Sequence, residues 1–332
     1  MIDLPLDQVR TLLAAVDEGT FEAAARALQV TPSAVSQRIK ALEQHTGRVL
    51  LIRSKPVRLT ESGLVVVRFA RQLDWLERDA SAALGLAAAD GPALLAIAVN
   101  ADSLATWFLP ALGRLTDSRI CFEIQREDQD HTARLLSQGS VMAAVTSTPQ
   151  PVQGCSVRGL GRMRYRAMAS PAFAARHLSD GPVRRSLAAA PVVVFDRKDD
   201  LQDRFMRDLA AGAATTKTKL KPKTKPSPRA RAAADVDVDV DVEAAATPAT
   251  AAKRHFVPSS EGFVDAVVMG LGWGMVPEDQ AATRPAGALV DIAPDRPIDV
   301  PLYWQQWKLD SPALTTVADI VGEAAAAALR PA

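Results

Sequence analysis

Cysteine is scarce in this chain of 332 residues, and long apolar runs are missing. Its two cysteines, Cys121 and Cys155, are too far apart for a CxxC motif and too few for a disulfide framework, which fits a reducing compartment. No apolar run approaches the roughly 18 residues that a membrane-spanning helix needs. The first residues, MIDLPLDQVR, hold two aspartates and no apolar block, so we expect no secretory signal, no membrane partner and a cytoplasmic protein.

An excess of charge of either sign is also missing. Lys and Arg number 39 and Asp and Glu 38, and the resulting net charge of +1 argues against a globally basic nucleic-acid coat protein. Any basic surface must therefore be local. Hydrophobic residues make up 48% of the chain, which is enough for a sizeable core, and the length indicates about two or three domains.

Motifs of catalysis and metal binding are lacking too. The four histidines show no HExxH or metal-ligand spacing, and there is no GxSxG elbow or GKS/T loop. The glycines of GLGWG (270–274) precede a predicted strand, which indicates a turn. Asp128, His131 and a nearby serine would make a poor triad. We therefore expect no enzyme, no catalytic residue, no cofactor and no metal site.

Residues 1–58 predict three short helices followed by a hairpin. Thr20 and Thr31 stand where helix N-caps are expected, and Gly47 ends the third helix. Two helices joined by a tight turn let the second one enter the major groove of DNA. The pattern therefore predicts a helix-turn-helix over residues 20–47, with the hairpin as a wing beside the groove.

The predicted third helix has a polar outward face. Its polar side chains recur at intervals of three or four residues, opposite an apolar stripe. Ser and Gln can hydrogen-bond base edges, while Lys and Arg bind phosphates or guanine. Six basic side chains and one acid, Glu43, give residues 31–58 a local charge of +5. An ordinary three-helix bundle with a solvated face is the alternative. The predicted DNA-binding residues are Thr31, Pro32, Ser33, Ser36, Gln37, Arg38 and Lys40, with Arg53, Lys55 and Arg58 in the hairpin.

Residues 60–88 predict one long helix with Thr60 as its N-cap. Its apolar seam has no obvious partner within the chain, which favours dimerisation. A spacer helix that lies on the next domain is the alternative. The seam consists of Leu64, Val67, Ala70 with Arg71, Leu73 with Asp74, and Leu76.

From residue 94 onward, strand-like and helix-like segments alternate. LLAIAV (94–99), ICFEIQ (120–125) and VMAAVT (141–146) are predicted strands with helices between them. Such alternation predicts an α/β fold with parallel sheets covered on both faces. Ligands bind in such folds at the carboxyl ends of the strands.

Residues 212–253 interrupt this pattern. A cationic run with three prolines is followed by DVDVDVDVE (235–243) and by Ala/Thr/Pro repeats. Like charges and prolines cannot pack a core, so we predict a mostly disordered surface insertion. A nucleic-acid-binding tail and a folded hairpin are the alternatives.

The stretch FEAAARALQVTPSAVSQRIKALEQHTGRVLLIRSKPVRLTESG resembles the N-terminal winged helix-turn-helix of LysR-type transcriptional regulators. The resemblance extends from Leu6 to about Gly63. It includes the alanine pair before Leu28, the Ser-Ala-Val-Ser run, Gly47 and the Leu-Thr-Glu-Ser-Gly sequence at the start of the linker helix.

The resemblance implies a winged helix-turn-helix domain at residues 1–58, a linker and dimerisation helix at 59–90, and an effector domain at 91–332. It implies that the effector domain is two-lobed, like periplasmic binding proteins. It also implies a homodimer or homotetramer on promoter DNA, and it leaves contact with RNA polymerase open.

Three later motifs are similar to the ArgP/LysG-like branch, which controls export of basic amino acids. They are REDQDHTARLLSQGSVMAAVTSTPQPVQGC, FDRKDDLQDRF and HFVPSSEGF. The branch implies a regulator of an exporter gene that responds to lysine or arginine; a LysR-type regulator with another effector is the alternative. The chain departs from the family through residues 212–253, without which 290 residues remain, an ordinary family size.

A basic amino acid as effector needs hydrogen-bond donors for its carboxylate and anions for its amino groups. Polar residues at predicted strand ends and helix starts could supply both, although many such residues are only helix caps or solvated acids. The predicted effector-binding residues are Asn100, Ser103, Thr106, Thr146, Ser147, Ser259 and Ser260, with Asp128, Asp196 and Glu261 as the anions.

Two further classes compete with a regulator. A solute-binding protein with an incidental helical N-terminus would bind no promoter DNA, and the expected absence of a signal peptide argues against it. A constitutive nucleoid-binding protein would bind DNA with little sequence preference and a steep salt dependence.

Overall fold

The computed structural model describes residues 4–84, 93–115, 120–127, 129–178, 183–217 and 253–331. The chain divides into two compact units, residues 1–163 with 300–332 and residues 164–299. Within the described ranges, no helix is long and apolar enough to cross a membrane.

In chain order the elements are α1 (Leu6–Asp17), α2 (Phe21–Ala27), α3 (Pro32–Thr46), β1 (Leu51–Ile52), β2 (Arg58–Leu59), α4 (Glu61–Ala83), β3 (Ala93–Val99), α5 (Ala101–Ser103), a π-helical turn (Leu104–Phe108), α6 (Leu109–Leu112), β4 (Ile120–Arg126), α7 (Gln129–Gln138), β5 (Ala143–Thr146), β6 (Cys155–Ala169), α8 (Pro171–His177), α9 (Val183–Ala189), β7 (Val192–Val194), α10 (Leu201–Lys217), β8 (Arg254–Phe256), α11 (Ser260–Val268), β9 (Gly274–Pro277), α12 (Glu278–Ala282), β10 (Val290–Asp291), β11 (Ile298–Trp307) and α13 (Pro312–Ala328).

The first unit begins with the three helices and the hairpin that the sequence predicts. The backbone N–H of Ala23 donates to Thr20 Oγ1 at 3.1 Å, and that of Ala34 donates to Thr31 Oγ1 at 3.2 Å. Both predicted N-caps are therefore confirmed. Gly47 ends α3 in the left-handed conformation with φ +64°, which glycine adopts without steric cost. β1 and β2 pair antiparallel as the wing.

The linker helix α4 packs on this N-terminal bundle. The backbone N–H of Gly63 donates to Thr60 Oγ1 at 3.1 Å, which confirms the predicted cap. Val67 and Ala70, which the sequence placed in a dimer seam, are buried in the core of their own chain, so this part of the seam was wrong. The first turns of α4 complete the bundle core, and the large apolar side chains left exposed on the helix are Val65, Phe69, Leu76 and, just beyond its end, Leu84.

The remainder of the first unit contains a sheet covered by helices. β3 lies between β4 and β5 and is parallel to both, while β11 pairs antiparallel with β5. The buried, mainly aliphatic residues of β3 and β5 account for their position inside the sheet. α7 connects β4 to β5 and packs against α4.

The second unit contains a long antiparallel group and a short parallel pair. β9 and β10 both pair antiparallel with β6, and β7 pairs parallel with β8. Arg166 contacts Glu278 at 2.8 Å and Asp291 at 3.0 Å, so one guanidinium of β6 joins the segments on either side of it. Val193, Phe263 and residues around them form the apolar core of this unit.

The expectation of parallel sheets is correct for β3 to β5 and for β7 with β8, and wrong for β6, β9, β10 and β11. Alternation of strands and helices fixes the order of elements, but the direction of a strand depends on the end of the sheet to which its connection returns.

The insertion also differs from its prediction. α10 runs to Lys217, so residues 212–217 are helical where disorder was expected. The sequence AAGAA (210–214) at this junction contains four alanines, the strongest helix former, which favours continuation of the helix into the insertion. Residues 218–252 lie outside the described residues.

Candidate functional site

α3 presents a polar face away from the core of the N-terminal bundle. Val35, Ile39 and Leu42 are almost fully buried on its inner side. Most of the predicted DNA-binding side chains of α3 lie on the other side and are exposed, while Ser36 and Arg38 are half-buried. Those exposed residues of α3 and its cap are Thr31, Pro32, Ser33, Gln37 and Lys40.

Arg38 differs from its neighbours because it faces α1. Its Nη1 donates to Thr11 Oγ1 at 3.5 Å, and its Nε lies 3.9 Å from a carboxylate oxygen of Asp7. Both contacts are long, so they orient the guanidinium weakly. Among the predicted DNA-binding residues of α3, Arg38 is therefore the one whose described contacts direct its charge toward another helix of the bundle.

The wing carries three exposed cationic side chains, Arg53, Lys55 and Arg58. An acidic residue of α3 holds the start of the wing: Glu43 Oε1 accepts hydrogen bonds from the backbone N–H of Leu50 at 2.8 Å and of Leu51 at 3.3 Å. The sequence interpretation counted Glu43 only as an opposing charge. Its position one turn before the end of α3, ahead of a strand, was the available signal for this role.

The first unit brings together predicted effector-binding residues from two neighbouring strands. Ala98 of β3 pairs with Ala144 of β5 in parallel register, so the carboxyl ends of both strands lie at one edge. Asn100 follows β3 and Thr146 ends β5, and both are buried. Polar side chains buried at strand ends are the usual ligand-binding positions of α/β folds.

Two polar atoms at this edge have no partner. Asn100 Oδ1 and Ser103 Oγ are buried, and neither makes a hydrogen bond to any described residue. Buried polar groups are nearly always paired, so unpaired ones mark a place that a polar ligand could occupy. Thr106 differs, because its hydroxyl donates to the carbonyl of Asp102 at 2.7 Å within the helix.

The segment after β5 is organised by a residue that sequence reasoning missed. Gln305 is buried, and its Nε2 donates to the carbonyls of Thr148 at 3.0 Å and Gln150 at 2.9 Å. Its Oε1 accepts from the backbone N–H of Val152 at 3.0 Å. Ser147, a predicted effector residue, is half-buried beside this segment. The available signal was the pair of glutamines, Gln305 and Gln306, beside buried apolar residues of the same strand.

The second unit places its own predicted residues after β7 and at the start of α11. Asp196 Oδ1 accepts from the backbone N–H groups of Lys198 and Asp199, so it stabilises a turn. Ser259 caps α11 through the N–H of Gly262, and Ser260 is buried where Gln280 donates to it. The remaining two are Glu261, which is exposed in the first turn of α11, and Asp128, which lies outside the described residues.

Asp199 is a second residue that the sequence interpretation passed over. Its carboxylate accepts from the backbone N–H of Phe195 and of Leu201, each at 3.0 Å. Burial raises the pKa of Asp199 above its ordinary value, and these hydrogen bonds offset only part of that increase. All five positions of the DRKDD motif are charged, which hid the half-buried Asp199 among them.

The described residues contain no group of three His, Cys, Asp or Glu side chains that could hold a metal ion. What the fold does define is a winged helix-turn-helix with a cationic wing, joined by one long helix to an α/β domain with a polar strand edge. That combination is the architecture of a ligand-responsive DNA-binding protein.

Comparison with known proteins gives the family. Residues 6–64 match the model of the bacterial regulatory helix-turn-helix protein, lysR family. The chain is 40% identical over 325 residues to the lysine export transcriptional regulatory protein LysG of Corynebacterium glutamicum, covering 98% of this chain and 99% of that one. This chain therefore belongs to the LysR family of transcriptional regulators, as the resemblance predicted.

Two solved structures are similar over nearly the whole chain. The crystal structure of ArgP from Mycobacterium tuberculosis has a TM-score of 0.81 and 43% identity, and the similarity covers 98% of each chain. The full-length LTTR LysG from Corynebacterium glutamicum with bound effector Arg has a TM-score of 0.75 and 39% identity, covering 98% of this chain and all of that one.

Proposed function

We propose that this protein binds a promoter as a homo-oligomer and regulates a gene for export of a basic amino acid, with arginine or lysine as its effector. The unpaired buried Asn100 and Ser103 carry the effector part of this proposal, because a buried polar pair at a strand edge suits a polar ligand. The relatives that are named for lysine export, or solved with bound arginine, support the choice of ligand.

The first unit suits the carboxylate of an amino acid. The Ser103 hydroxyl and the Nδ2 group of Asn100 are hydrogen-bond donors for a carboxylate, whereas the unpaired Oδ1 of Asn100 is an acceptor and suits the α-amino group. They lie at the start of the continuous helical segment that runs from α5 to α6, and a helix start favours negative charge. Thr146 and Ser147 add hydroxyls from the end of β5. We assign these four side chains to the effector carboxylate.

The second unit carries two of the predicted effector-binding acids. Asp196 follows the buried strand β7, and Glu261 lies near the start of α11. Ser259 and Ser260 immediately precede Glu261, and their hydroxyls already take part in the cap and in the contact with Gln280. Asp196 is the stronger candidate of the two acids because it follows the end of a strand, although its Oδ1 already accepts two backbone hydrogen bonds.

On DNA, α3 enters the major groove and the wing contacts the backbone. Ser33, Ser36 and Gln37 are assigned to base edges, because residues near the N-terminal end of a recognition helix reach furthest into the groove. Lys40 and the wing cations Arg53, Lys55 and Arg58 are assigned to phosphates. The protein acts in the cytoplasm, where promoter DNA and RNA polymerase are present, and it catalyses no reaction.

Titration of the upstream DNA of the protein's own gene tests the DNA-binding part. Replacing Gln37 with Ala is expected to cost about 1–3 kcal/mol of preference for that site, while Gln44→Ala, an exposed glutamine nearer the end of α3, leaves the preference unchanged. A plot of the logarithm of the promoter association constant against the logarithm of salt concentration has a negative slope. Arg53→Ala reduces the magnitude of this slope by about 1, whereas Arg176→Ala in the second unit does not. Absence of any preference for the promoter would refute the proposal.

Calorimetry tests the effector part independently. Arginine and lysine are expected to release heat on binding, whereas alanine and leucine are not. A neutral amino acid that binds as tightly as arginine would refute the choice of ligand without affecting promoter binding.

A further inference from the structure

Three side chains on one face of α4 donate hydrogen bonds to the α/β part of the first unit. Arg68 donates to the carbonyl of Gln153 at 2.7 Å, and Arg71 Nη1 donates to the carbonyl of Gly139 at 2.8 Å. Trp75 Nε1 donates to Ser311 Oγ at 3.0 Å in a buried contact. The three side chains are spaced by three and four residues, so they lie on the same face of the helix.

The backbones at this contact are close. A Cβ atom on Gly139 would lie 2.9 Å from Arg68 Cα, and Gly139 has a φ of +73°. Both facts require glycine at this position. The carbonyl that Arg71 binds is therefore held at a fixed distance from α4.

Arg71 also reaches the DNA-binding bundle. Its Nη2 donates to Asp17 Oδ1 at 2.7 Å, and Asp17 is the last residue of α1. α1 packs directly against α3, the predicted recognition helix. A guanidinium is planar and carries donors on separate nitrogens, so it can bind both acceptors at once in a defined geometry.

The carbonyl of Gly139 stands near the start of the strand that carries a proposed effector ligand. β5 begins four residues later at Ala143 and ends at Thr146. The N–H of Met142 donates to the carbonyl of Ala96 at 2.8 Å, which ties this segment to β3, the strand that precedes Asn100. A shift of either strand end therefore reaches the acceptor of Arg71 through a few residues of regular sheet.

We propose that Arg71 is the positioning residue that couples the effector edge of the first unit to the DNA-binding bundle. The inference rests on the proposed function and specifies how its two sites communicate. Arg71 joins Gly139, at the base of β5, to Asp17, at the end of α1, and so determines where α1 and α3 stand relative to the strand edge.

The ion pair between Arg71 and Asp17 is suited to form in one conformational state of the protein and to separate in another. The side chains of Arg71 and Asp17 are 27% and 48% exposed, and an exposed ion pair stabilises a fold only slightly. A cavity of about 550 Å³, lined by Arg71, Asp17 and Gly139 among others, lies beside the pair. The pair can therefore separate without unpacking a core, which a residue that transmits a shift requires.

The test measures promoter affinity of the full-length protein with and without saturating arginine. In the wild type we expect arginine to change this affinity by at least about fivefold. In Arg71→Gln and in Asp17→Asn we expect the change to fall below about twofold, while calorimetric affinity for arginine in the absence of DNA stays within about threefold of the wild type.

Arg78→Gln is the matched control, because Arg78 lies on the same helix, lines the same cavity and pairs only with Asp74 of its own helix among the ion pairs described. It should retain the full response to arginine. If the Arg71→Gln variant fails to fold, the Asp17→Asn variant alone tests the proposal, because Asp17 is exposed. A full response to arginine in a folded Asp17→Asn variant would overturn the inference and leave the proposed function intact, whereas failure of the wild type to bind promoter or arginine would refute the proposed function itself.

Discussion

The carboxylate of Glu43 in α3 accepts a hydrogen bond from the backbone N–H of Leu50 at 2.8 Å, and this contact fixes the wing to the recognition helix. The same oxygen accepts from Leu51, the first residue of β1. An acidic residue within a basic DNA-binding surface repels phosphate, so its presence here is explained by what it holds in place rather than by contact with DNA.

Replacement of Glu43 with Ala leaves two backbone N–H groups of the wing without their acceptor. We expect a loss of about 1–3 kcal/mol in the free energy of unfolding and weaker promoter binding, because the wing cations lose their position. Glu43→Gln retains an acceptor oxygen, so it should keep most of the free energy of unfolding and most of the promoter affinity. Chemical denaturation and promoter titration of the two variants provide the measurement, and equal losses in Gln and Ala would contradict this role.

Replacement of Ser103 with Ala removes an unpaired buried hydroxyl. The free energy of unfolding should stay equal or rise, since no hydrogen bond is lost in the unliganded protein. Affinity for arginine should fall about 10-fold to 100-fold, because this is the contribution of one hydrogen bond to a charged group. Thermal melts and calorimetry measure the two effects.

Thr316→Val is the matched control for this prediction, because that exposed hydroxyl donates only to the carbonyl of Pro312 in its own helix among the hydrogen bonds described. It should leave arginine affinity unchanged. A destabilised Ser103→Ala variant that still binds arginine normally would show that the hydroxyl serves the fold.

Much of the N-terminal part was predictable, because its signals are local. Thr20, Thr31 and Thr60 each cap a helix through a side chain that acts within three residues, and Gly47 ends α3 by its own conformation. The family followed from the same contiguous stretch.

The errors and omissions concern contacts between distant parts of the chain. Val67 and Ala70 look like a dimer seam until the N-terminal bundle is seen to cover them, and Arg71 joins residues 54 positions before it and 68 after it. Strand direction in β9 to β11 depends on such long-range returns as well. No local pattern of residues specifies these contacts.

Asp199 should make the stability of the protein dependent on pH. Its pKa is raised from the ordinary value of 3.8 by burial, so its contribution is fully present below that value and is lost as the pH rises through the raised pKa. Compared with the wild type, Asp199→Asn should therefore gain stability as the pH rises from about 4 to 7. Urea denaturation at a series of pH values measures the difference.

Asp200→Asn provides the reference for this series, because Asp200 is the adjacent residue and its side chain is 75% exposed. This variant removes one negative charge at the neighbouring position, so a pH dependence that both variants share would not belong to the buried carboxyl. A difference for Asp199→Asn that is constant, or that falls as the pH rises, would contradict the burial of an ionisable carboxyl.

The exposed apolar residues of α4 predict a homo-oligomer contact. Val65, Phe69 and Leu76 recur at spacings of four and seven residues, so they form a stripe along the helix, and the part of the chain that the structure describes leaves this stripe uncovered. A second copy of α4 would bury the stripe as in a two-helix coiled coil.

Replacement of Phe69 with Glu should raise the dissociation constant of the homodimer at least tenfold, roughly 1.4 kcal/mol, because each dimer would lose two buried aromatic rings and gain two charges in an apolar seam. Sedimentation at several protein concentrations measures this constant. Met269→Glu, which alters a more exposed apolar side chain in the second unit, is the control and should leave it unchanged. If Phe69→Glu sediments like the wild type at every concentration, the stripe on α4 does not form the contact, and another surface must hold the oligomer together.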